Sequence, residues 1–116
     1  MILIIGGYAS GKHEYARCEL KTDENNIFTV TDVIVSDYEK KPDAIFNIIC
    51  NHKIVIVTEI GSGIIPITAK ERAHREASGQ LSMRLAKQAD AVIRIICGIP
   101  QIIKGKIENG EAVVDS

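Results

Sequence analysis

The fold is decided by the stretch Gly6-Gly7-Tyr8-Ala9-Ser10-Gly11-Lys12-His13. It matches the pattern G-x-x-x-x-G-K, follows the apolar run Ile2–Ile5 and precedes a segment of helical character. In this order, strand, glycine-rich turn and helix can direct backbone N–H groups at phosphate oxygens, while the lysine adds a full positive charge. The stretch predicts a phosphate-binding loop (P-loop) at Gly6–His13. The alternative is a glycine-rich turn with an incidental lysine.

The position after the lysine departs from the usual pattern. Ser or Thr normally follows the lysine and ligates Mg²⁺ through its hydroxyl, whereas this chain has His13. A neutral imidazole is a poor ligand for this hard cation, although a protonated one can hydrogen-bond a phosphate. Two interpretations of His13 stay open: contact with the nucleotide, or capping of the turn. Mg²⁺ stays open as a cofactor, and no metal ligand is assigned.

Short β-branched apolar runs alternate with longer helical segments along the chain. This alternation is typical of an α/β protein with a mostly parallel sheet covered by helices on both faces. We predict strands at Ile2–Ile5, Ile27–Val35 (whole or split), Lys53–Thr58 and Ala91–Cys97; helices after Gly11, across Asp37–Cys50 with Pro42 starting or interrupting it, and over Ala69–Ala89; and a hairpin across Glu108–Gly110.

The long helix has the best-defined beginning. Thr68 and Glu71 form a T-x-x-E capping box, in which each side chain bonds a free backbone N–H at the helix start. An apolar stripe runs from Ala69 to Leu85, and the opposite face carries Arg72, Arg75 and Gly79. A glycine within a helix costs about 1 kcal/mol relative to alanine. We expect either a close approach to the backbone at Gly79 or a tolerated loss.

Length and composition indicate one domain spanning residues 1–116. The chain is 46% hydrophobic, and its net charge of −1 comes from acidic and basic residues that alternate rather than cluster. This charge distribution predicts binding to neither nucleic acid nor membrane. The apolar runs are shorter than a membrane span, and no basic segment precedes the first one, so we predict a cytoplasmic protein. The three widely spaced cysteines fit reduced thiols.

A second candidate group follows the strand that ends at Thr58. Glu59 comes directly before a Gly-Ser-Gly turn. Ligands of parallel α/β sheets bind beyond the carboxyl ends of the strands, so this carboxylate can face the same crevice as the P-loop. Glu59 is a candidate to hold Mg²⁺ through water or to orient a nucleophile. The alternative is a solvated residue at the end of a strand.

Four blocks of the sequence together resemble one known family. GGYASGKHEYA (residues 6–16), VTEIGSGIIP (57–66), RAHREASGQLSMRLA (72–86) and ADAVIRIICGIP (89–100) are similar, in the same order, to motifs of the bifunctional adenosylcobinamide kinase / adenosylcobinamide-phosphate guanylyltransferase family. Four ordered blocks are much more specific than a P-loop alone.

The resemblance implies a RecA-like P-loop fold, with the phosphates of ATP or GTP at Gly6–Lys12. Glu59 falls on the glutamate of a family motif, and Arg72 and Arg75 fall on its two arginines. Lys12 and Glu59 become the candidate catalytic residues, while the P-loop residues through His13 and the two arginines become the candidate nucleotide-binding ones. The implied reaction is phosphoryl transfer to the hydroxyl of adenosylcobinamide, a corrinoid, by a homotrimer.

The departures from the family are equally informative. The family carries a guanylyl-accepting histidine in an H-x-x-R-R-type segment and an aspartate in a D-C-x-T strand, and the sequence between Phe28 and His52 contains neither. We therefore predict that guanylyl transfer is lost. An alternative is a catalytically inactive subunit that binds a nucleotide or corrinoid as a partner or sensor. A third interpretation, an unrelated P-loop kinase of a small metabolite, requires the three later blocks to match by chance.

The histidines provide a test of this loss. A guanylyl intermediate needs an imidazole nitrogen in line with the α-phosphate and basic groups around the phosphoryl oxygens. We expect His13 beside the β- and γ-phosphates, His52 before a strand at the end away from the crevice, and His74 off the face of the two arginines. Incubation with α-labelled GTP and Mg²⁺ should leave the denatured protein unlabelled. Acid-labile label that disappears on replacing one of these histidines would contradict the prediction.

Overall fold

The centre of the molecule is a five-stranded sheet with the strand order β2-β3-β1-β4-β5. A computed structural model describes residues 1–59 and 68–113 of the chain. The first four strands run parallel, and β5 runs antiparallel to β4. The strands are β1 (Ile2–Gly6), β2 (Ile27–Thr29), β3 (Ile54–Thr58), β4 (Ala91–Ile96) and β5 (Ile99–Lys104). The predicted α/β fold with a mostly parallel sheet is confirmed.

Helices cover both faces of this sheet, as predicted. They are α1 (Lys12–Cys18), α2 (Asp32–Lys40), α3 (Pro42–Cys50) and α4 (Ala69–Gln88), with a short 3₁₀ turn at Glu24–Asn26. One core joins Leu3 and other strand residues to α2, α3 and α4, and a second core joins Ile2 and Ile4 to α1. Successive side chains of a strand point to opposite faces, so the apolar run of β1 supplies both cores.

Arg84 of α4 ties the three helices of the first core together. Its guanidinium donates to the hydroxyl of Tyr38 on α2 at 3.3 Å and to the carboxylate of Asp43 on α3 at 3.1 Å. It also lies 4.1 Å from the centre of the Phe46 ring. Cation–π contact and hydrogen bonding thus fix the packing of the helical layer.

The predicted strand at Ile27–Val35 is wrong in its second half. The strand ends at Thr29, and α2 begins at Asp32. The hydroxyl of Thr31 accepts a hydrogen bond from the N–H of Ile34, which caps the helix. Val35 and Tyr38, three residues apart, are both buried on one face of the helix. In this segment the helix cap and the helical spacing of the buried residues favour a helix more strongly than the β-branched residues favour a strand.

Other boundaries match the predictions closely. Pro42 is the first residue of α3, so it starts a second helix within the predicted Asp37–Cys50 segment. The hydroxyl of Thr68 accepts from the N–H of Glu71 at 3.2 Å, as expected for the start of α4. The predicted terminal hairpin is formed by β6 (Ile107–Glu108) and β7 (Glu111–Ala112).

The apolar stripe of α4 is buried over only part of its length. Ala77, Leu81 and Leu85 lie in the core, whereas Ala69 and Ala73 are exposed. The first two turns of α4, which carry the arginines predicted to bind nucleotide, are thus less covered than the turns after them, although His74 there still contacts α2. None of the helices in the described ranges is long and apolar enough to cross a membrane.

The edge strand β5 was not predicted, and all six of its residues are exposed. It follows β4 through a two-residue turn in which Cys97 and Gly98 both have positive φ, the geometry of a type I′ hairpin. In that geometry Pro100, paired with Ile95, directs its nitrogen away from β4. A proline without an N–H at this outer edge disfavours the addition of another strand.

Gly79 tests whether anything approaches the middle of α4. A Cβ built at Gly79 meets no atom of the described chain within 4 Å, whereas one at Gly105, where φ is +76°, collides with the carbonyl of Asp90. We expect Gly79→Ala to raise the free energy of unfolding by about 1 kcal/mol and Gly105→Ala to lower it. Urea titration measures both. Destabilisation by Gly79→Ala would indicate that another surface packs against this helix.

Candidate functional site

The P-loop leaves the carboxyl end of β1 through a position where only glycine fits. A Cβ at Gly6 would lie 2.5 Å from the hydroxyl of Ser10 and 2.7 Å from the carbonyl oxygen of Ile95. Contacts this short do not occur for a real Cβ, and the Ile95 oxygen belongs to the backbone of a core strand. The missing side chain lets the loop fold back over the end of the sheet.

The loop itself is turned rather than extended. Ala9 and Gly11 have φ values of 56° and 91°, and residues with positive φ alternating along a loop can bring successive N–H groups to one side, as in anion-binding nests. The N–H of Gly98, in the β4–β5 turn, donates to the carbonyl of Ser10 at 3.0 Å. The neighbouring hairpin therefore holds the loop in this shape.

Lys12 is folded into the loop instead of extending into solvent. Only 7% of this residue is exposed. Its Nζ donates to the carbonyl of Gly7 at 2.6 Å and lies 3.4 Å from the hydroxyl of Ser10. Burial lowers the pKa of Lys12 from the ordinary value, and the charge of Glu59 partly offsets the effect. The ammonium group is thus held inside the loop by the oxygens of Gly7 and Ser10.

A cavity of about 380 Å³ opens at this loop. Its lining consists of the six residues 9–14 together with Arg17, one turn further along α1. The volume lies at the lower end of the range for small-molecule sites. Two of its lining residues, Lys12 and Arg17, are cationic and one, Glu14, is acidic, so the wall is positive by one charge.

His13 makes a contact that the sequence did not indicate. Its Nε2 lies 3.0 Å from the hydroxyl of Thr29, at the end of β2, and it does not cap the turn. The imidazole therefore connects the start of α1 to the end of a strand two places away in the sheet. Because His13 also lines the cavity, its predicted contact with a nucleotide stays a prediction.

Glu59 lies at the same end of the sheet as the loop. Its N–H donates to the carbonyl of Gly6 at 2.8 Å, which continues the pairing of β3 with β1. Its carboxylate faces Arg94: the Nη2 of Arg94 donates to one oxygen at 3.2 Å, and Nε lies 3.1 Å from the other without hydrogen-bond alignment. Glu59 is thus an exposed residue at the end of a strand that is also ion-paired with Arg94, so its predicted catalytic role stays a prediction.

Sequence reasoning missed Arg94. It lies on β4 opposite Ile5, and its ion pair with Glu59 passes across β1. The sequence did indicate that Arg94 has a special role, because it is the one charged residue in the apolar run Ala91–Cys97. A charge within a strand that is otherwise buried needs a partner, but the run did not indicate which residue that would be.

The remaining candidates lie in two different regions. Arg72 and Arg75 belong to the exposed start of α4, which follows the carboxyl end of β3 and so lies at the P-loop end of the sheet. Neither arginine forms an ion pair with another residue in the described ranges. His52 lies before β3 at the opposite end and stacks on Phe28, with ring centres 4.7 Å apart. Most of the predicted block at residues 57–66 falls outside the described residues.

His74, next to these arginines, points towards α2. Its Nε2 lies 3.3 Å from the carboxylate of Asp32, and its Nδ1 lies 3.8 Å from that of Glu39. These contacts direct the imidazole away from the P-loop, and His74 is half-buried. His74 links α4 to α2 rather than joining the P-loop.

The residues present do not fit the Mg²⁺ site of a standard P-loop protein. The hydroxyl ligand is replaced by a histidine that contacts Thr29, and the nearby carboxylate of Glu59 is already paired with Arg94. Over residues 1–59 and 68–113, no group of three or more His, Cys, Asp and Glu side chains is arranged to hold a metal ion. The donor set suits an anion better than a divalent cation.

Comparison with known proteins adds independent information on the remainder of the chain. Residues 24–103, well over half of the chain, match the model of the family described as cobinamide kinase / cobinamide phosphate guanyltransferase. The bifunctional adenosylcobalamin biosynthesis protein CobU of Salmonella typhimurium is 41% identical over 56 residues, which are 47% of this chain and 31% of the Salmonella protein. The match therefore spans about a third of the length of that relative.

The family match begins beyond the P-loop, so the loop geometry and the match are separate observations on different parts of the chain. The match covers β2 to β4, including Glu59, Arg94 and the start of α4. The P-loop follows the carboxyl end of β1 in the same parallel sheet, so the loop geometry and the match support one family assignment. The chain belongs to the cobinamide kinase / cobinamide phosphate guanyltransferase family.

Proposed function

We propose that this chain binds ATP or GTP at Gly6–His13 and acts on a cobinamide intermediate of cobalamin biosynthesis in the cytoplasm. The observation that carries the proposal is the position of Lys12: a buried ammonium held 2.6 Å from the Gly7 carbonyl, beneath a turned loop. A buried cation without a carboxylate partner is costly unless an anion compensates it. A nucleotide phosphate supplies that compensation.

The reaction we propose is phosphoryl transfer from the nucleotide to the hydroxyl of adenosylcobinamide. Lys12 and the loop amides would stabilise negative charge on the transferring phosphate. Glu59, at the same end of the sheet, would orient the attacking hydroxyl once its pairing with Arg94 is loosened. Arg72 and Arg75, on the exposed start of α4, are available to contact the nucleotide or the corrinoid. The family membership supports this substrate class.

A specific observation favours a second candidate, which is binding without transfer. Glu59, the candidate catalytic carboxylate, is engaged by Arg94 at 3.1 and 3.2 Å, and His13 replaces the usual hydroxyl of the P-loop. A chain with these features could serve as a nucleotide- or corrinoid-binding partner or sensor. Both candidates require the same phosphate site.

Substitution of Lys12 tests the site, and turnover separates the two functions. We expect Lys12→Ala to weaken ATP and GTP binding at least about tenfold, since a charge-assisted phosphate contact contributes about 1.5–3 kcal/mol. Lys40→Ala, which removes an exposed lysine of α2, is the matched control. Equal effects of the two variants in equilibrium titrations would count against the P-loop site. Phosphorylated adenosylcobinamide formed by purified protein identifies the kinase, and its absence leaves the binding role.

We also propose that the chain associates with further copies of itself, as the family resemblance implies for a trimer. The β4–β5 hairpin exposes four isoleucines, Ile96, Ile99, Ile102 and Ile103. Ile96 and Ile99 pair across the hairpin and so lie on one face of the sheet, whereas Ile102 pairs with Ile93 on the other face. A second copy that covers the hairpin would remove these isoleucines from water as part of its contact.

Two equally exposed residues provide a controlled test of this surface. Ile99 on β5 and Val33 on α2 are both 69% exposed. We expect sedimentation to give a multiple of the 12.7 kDa chain mass, with Ile99→Lys shifting the protein towards the monomer and Val33→Lys having little effect. A charge placed in an apolar interface is desolvated without a partner, whereas one on a free surface is not. A stable wild-type monomer at micromolar concentration would contradict the proposal.

A further inference from the structure

We propose that this chain holds its nucleotide phosphates without a magnesium ion, because Arg94 occupies the carboxylate of Glu59 that the metal would need. The inference rests on nucleotide binding at the P-loop and concerns how charge is balanced there. A standard P-loop combines its lysine with Mg²⁺ held by the Ser or Thr hydroxyl and a nearby acid. In this chain the hydroxyl is replaced by His13, and the nearby acid, Glu59, is paired with Arg94. Both changes lie at the P-loop end of the sheet.

The first contribution is lost at His13. The imidazole is directed to Thr29, with 3.0 Å between Nε2 and the threonine hydroxyl. Mg²⁺ requires near-octahedral oxygen ligands at short distances, and an imidazole nitrogen in this position does not supply one. The protein therefore offers no hydroxyl ligand at this position of the loop.

The second contribution is blocked at Glu59. Its backbone is fixed by the bond from its N–H to the carbonyl of Gly6, and Arg94 is fixed by the pairing of β4 with β1. Two strands that flank β1 thus bring the guanidinium and the carboxylate together. A metal would therefore have to compete with Arg94 for the carboxylate.

Arg94 also performs the electrostatic role that a metal has elsewhere. A free carboxylate beside the P-loop would repel the phosphates, and in standard sites the cation cancels this repulsion. The Glu59–Arg94 pair is neutral overall, so Glu59 repels the phosphates less than a free carboxylate would, even though its charge also acts on Lys12. Mg²⁺ then adds little to the affinity of the protein for a nucleotide.

The direct measurement is equilibrium binding of fluorescent GTP and ATP analogues at constant ionic strength, with Mg²⁺ or with EDTA. We expect the two dissociation constants of each nucleotide to agree within about twofold. Binding that weakens more than about tenfold in EDTA would overturn the inference while leaving nucleotide binding intact. Failure to bind under both conditions would overturn the P-loop proposal and this inference with it.

Arg94→Leu tests the part played by the ion pair. Releasing Glu59 should weaken metal-free binding by about tenfold, and Mg²⁺ should recover most of that loss. Adding Glu59→Gln to Arg94→Leu should restore metal-free binding, since the free carboxylate is then absent, and Lys40→Ala should change neither condition. Unchanged affinities for Arg94→Leu in both conditions would contradict the role of Arg94.

A gain-of-function variant distinguishes this role from a merely structural one. His13→Ser combined with Arg94→Leu supplies both the hydroxyl and the free carboxylate of a standard site. We expect this variant to prefer Mg²⁺ more strongly than either single variant does. Thermal unfolding by circular dichroism verifies that each variant is folded, and Arg94→Lys, which keeps the charge, should retain binding that is independent of the metal. A metal dependence equal to that of the wild type in the double variant would refute the inference.

Discussion

The absence of a side chain at Gly6 is the constraint on which the site depends. Ser10 and the backbone of β4 occupy the space where a Cβ would lie, at 2.5 and 2.7 Å. This close approach brings the loop back over β1, so that Lys12 reaches the Gly7 carbonyl and Gly98 donates to Ser10. Sheet, loop and hairpin are consequently one packed unit, and a larger residue at Gly6 would separate all three.

The charged groups at the P-loop end of the sheet are of two kinds, which differ in what they contribute to the free energy of folding. Lys12 is buried, and its hydrogen bonds within residues 1–59 and 68–113 go to neutral oxygens, so its burial costs free energy that a bound anion can recover. Arg94 and Glu59 have side chains that are 43% and 39% exposed. A pair exposed to that degree contributes about 0–1 kcal/mol to stability. Its main effect is therefore to fix the direction of the Glu59 carboxylate.

Stability and chemistry are divided between the two ends of the sheet. The buried part of α4 begins at Ala77, and the turns before it, towards the P-loop end, are covered only in part. Lys12, Glu59, Arg94 and the arginines of α4 all follow or approach the carboxyl ends of parallel strands, where backbone groups are left without ladder partners. The apolar runs of β1, β3 and β4 hold this polar end in place from within both cores.

The sequence by itself determined the P-loop, the α/β class, the cap at Thr68 and the position of Glu59, because each depends on residues close together in the chain. It misjudged Val33–Val35, where a cap and two buried contacts outweighed β-branched propensity, and it missed β5, whose proline and lack of alternation hide an edge strand. Only the tertiary structure paired Glu59 with Arg94 and His13 with Thr29. These partners are 35 and 16 residues apart, and only the strand order of the sheet brings them into contact.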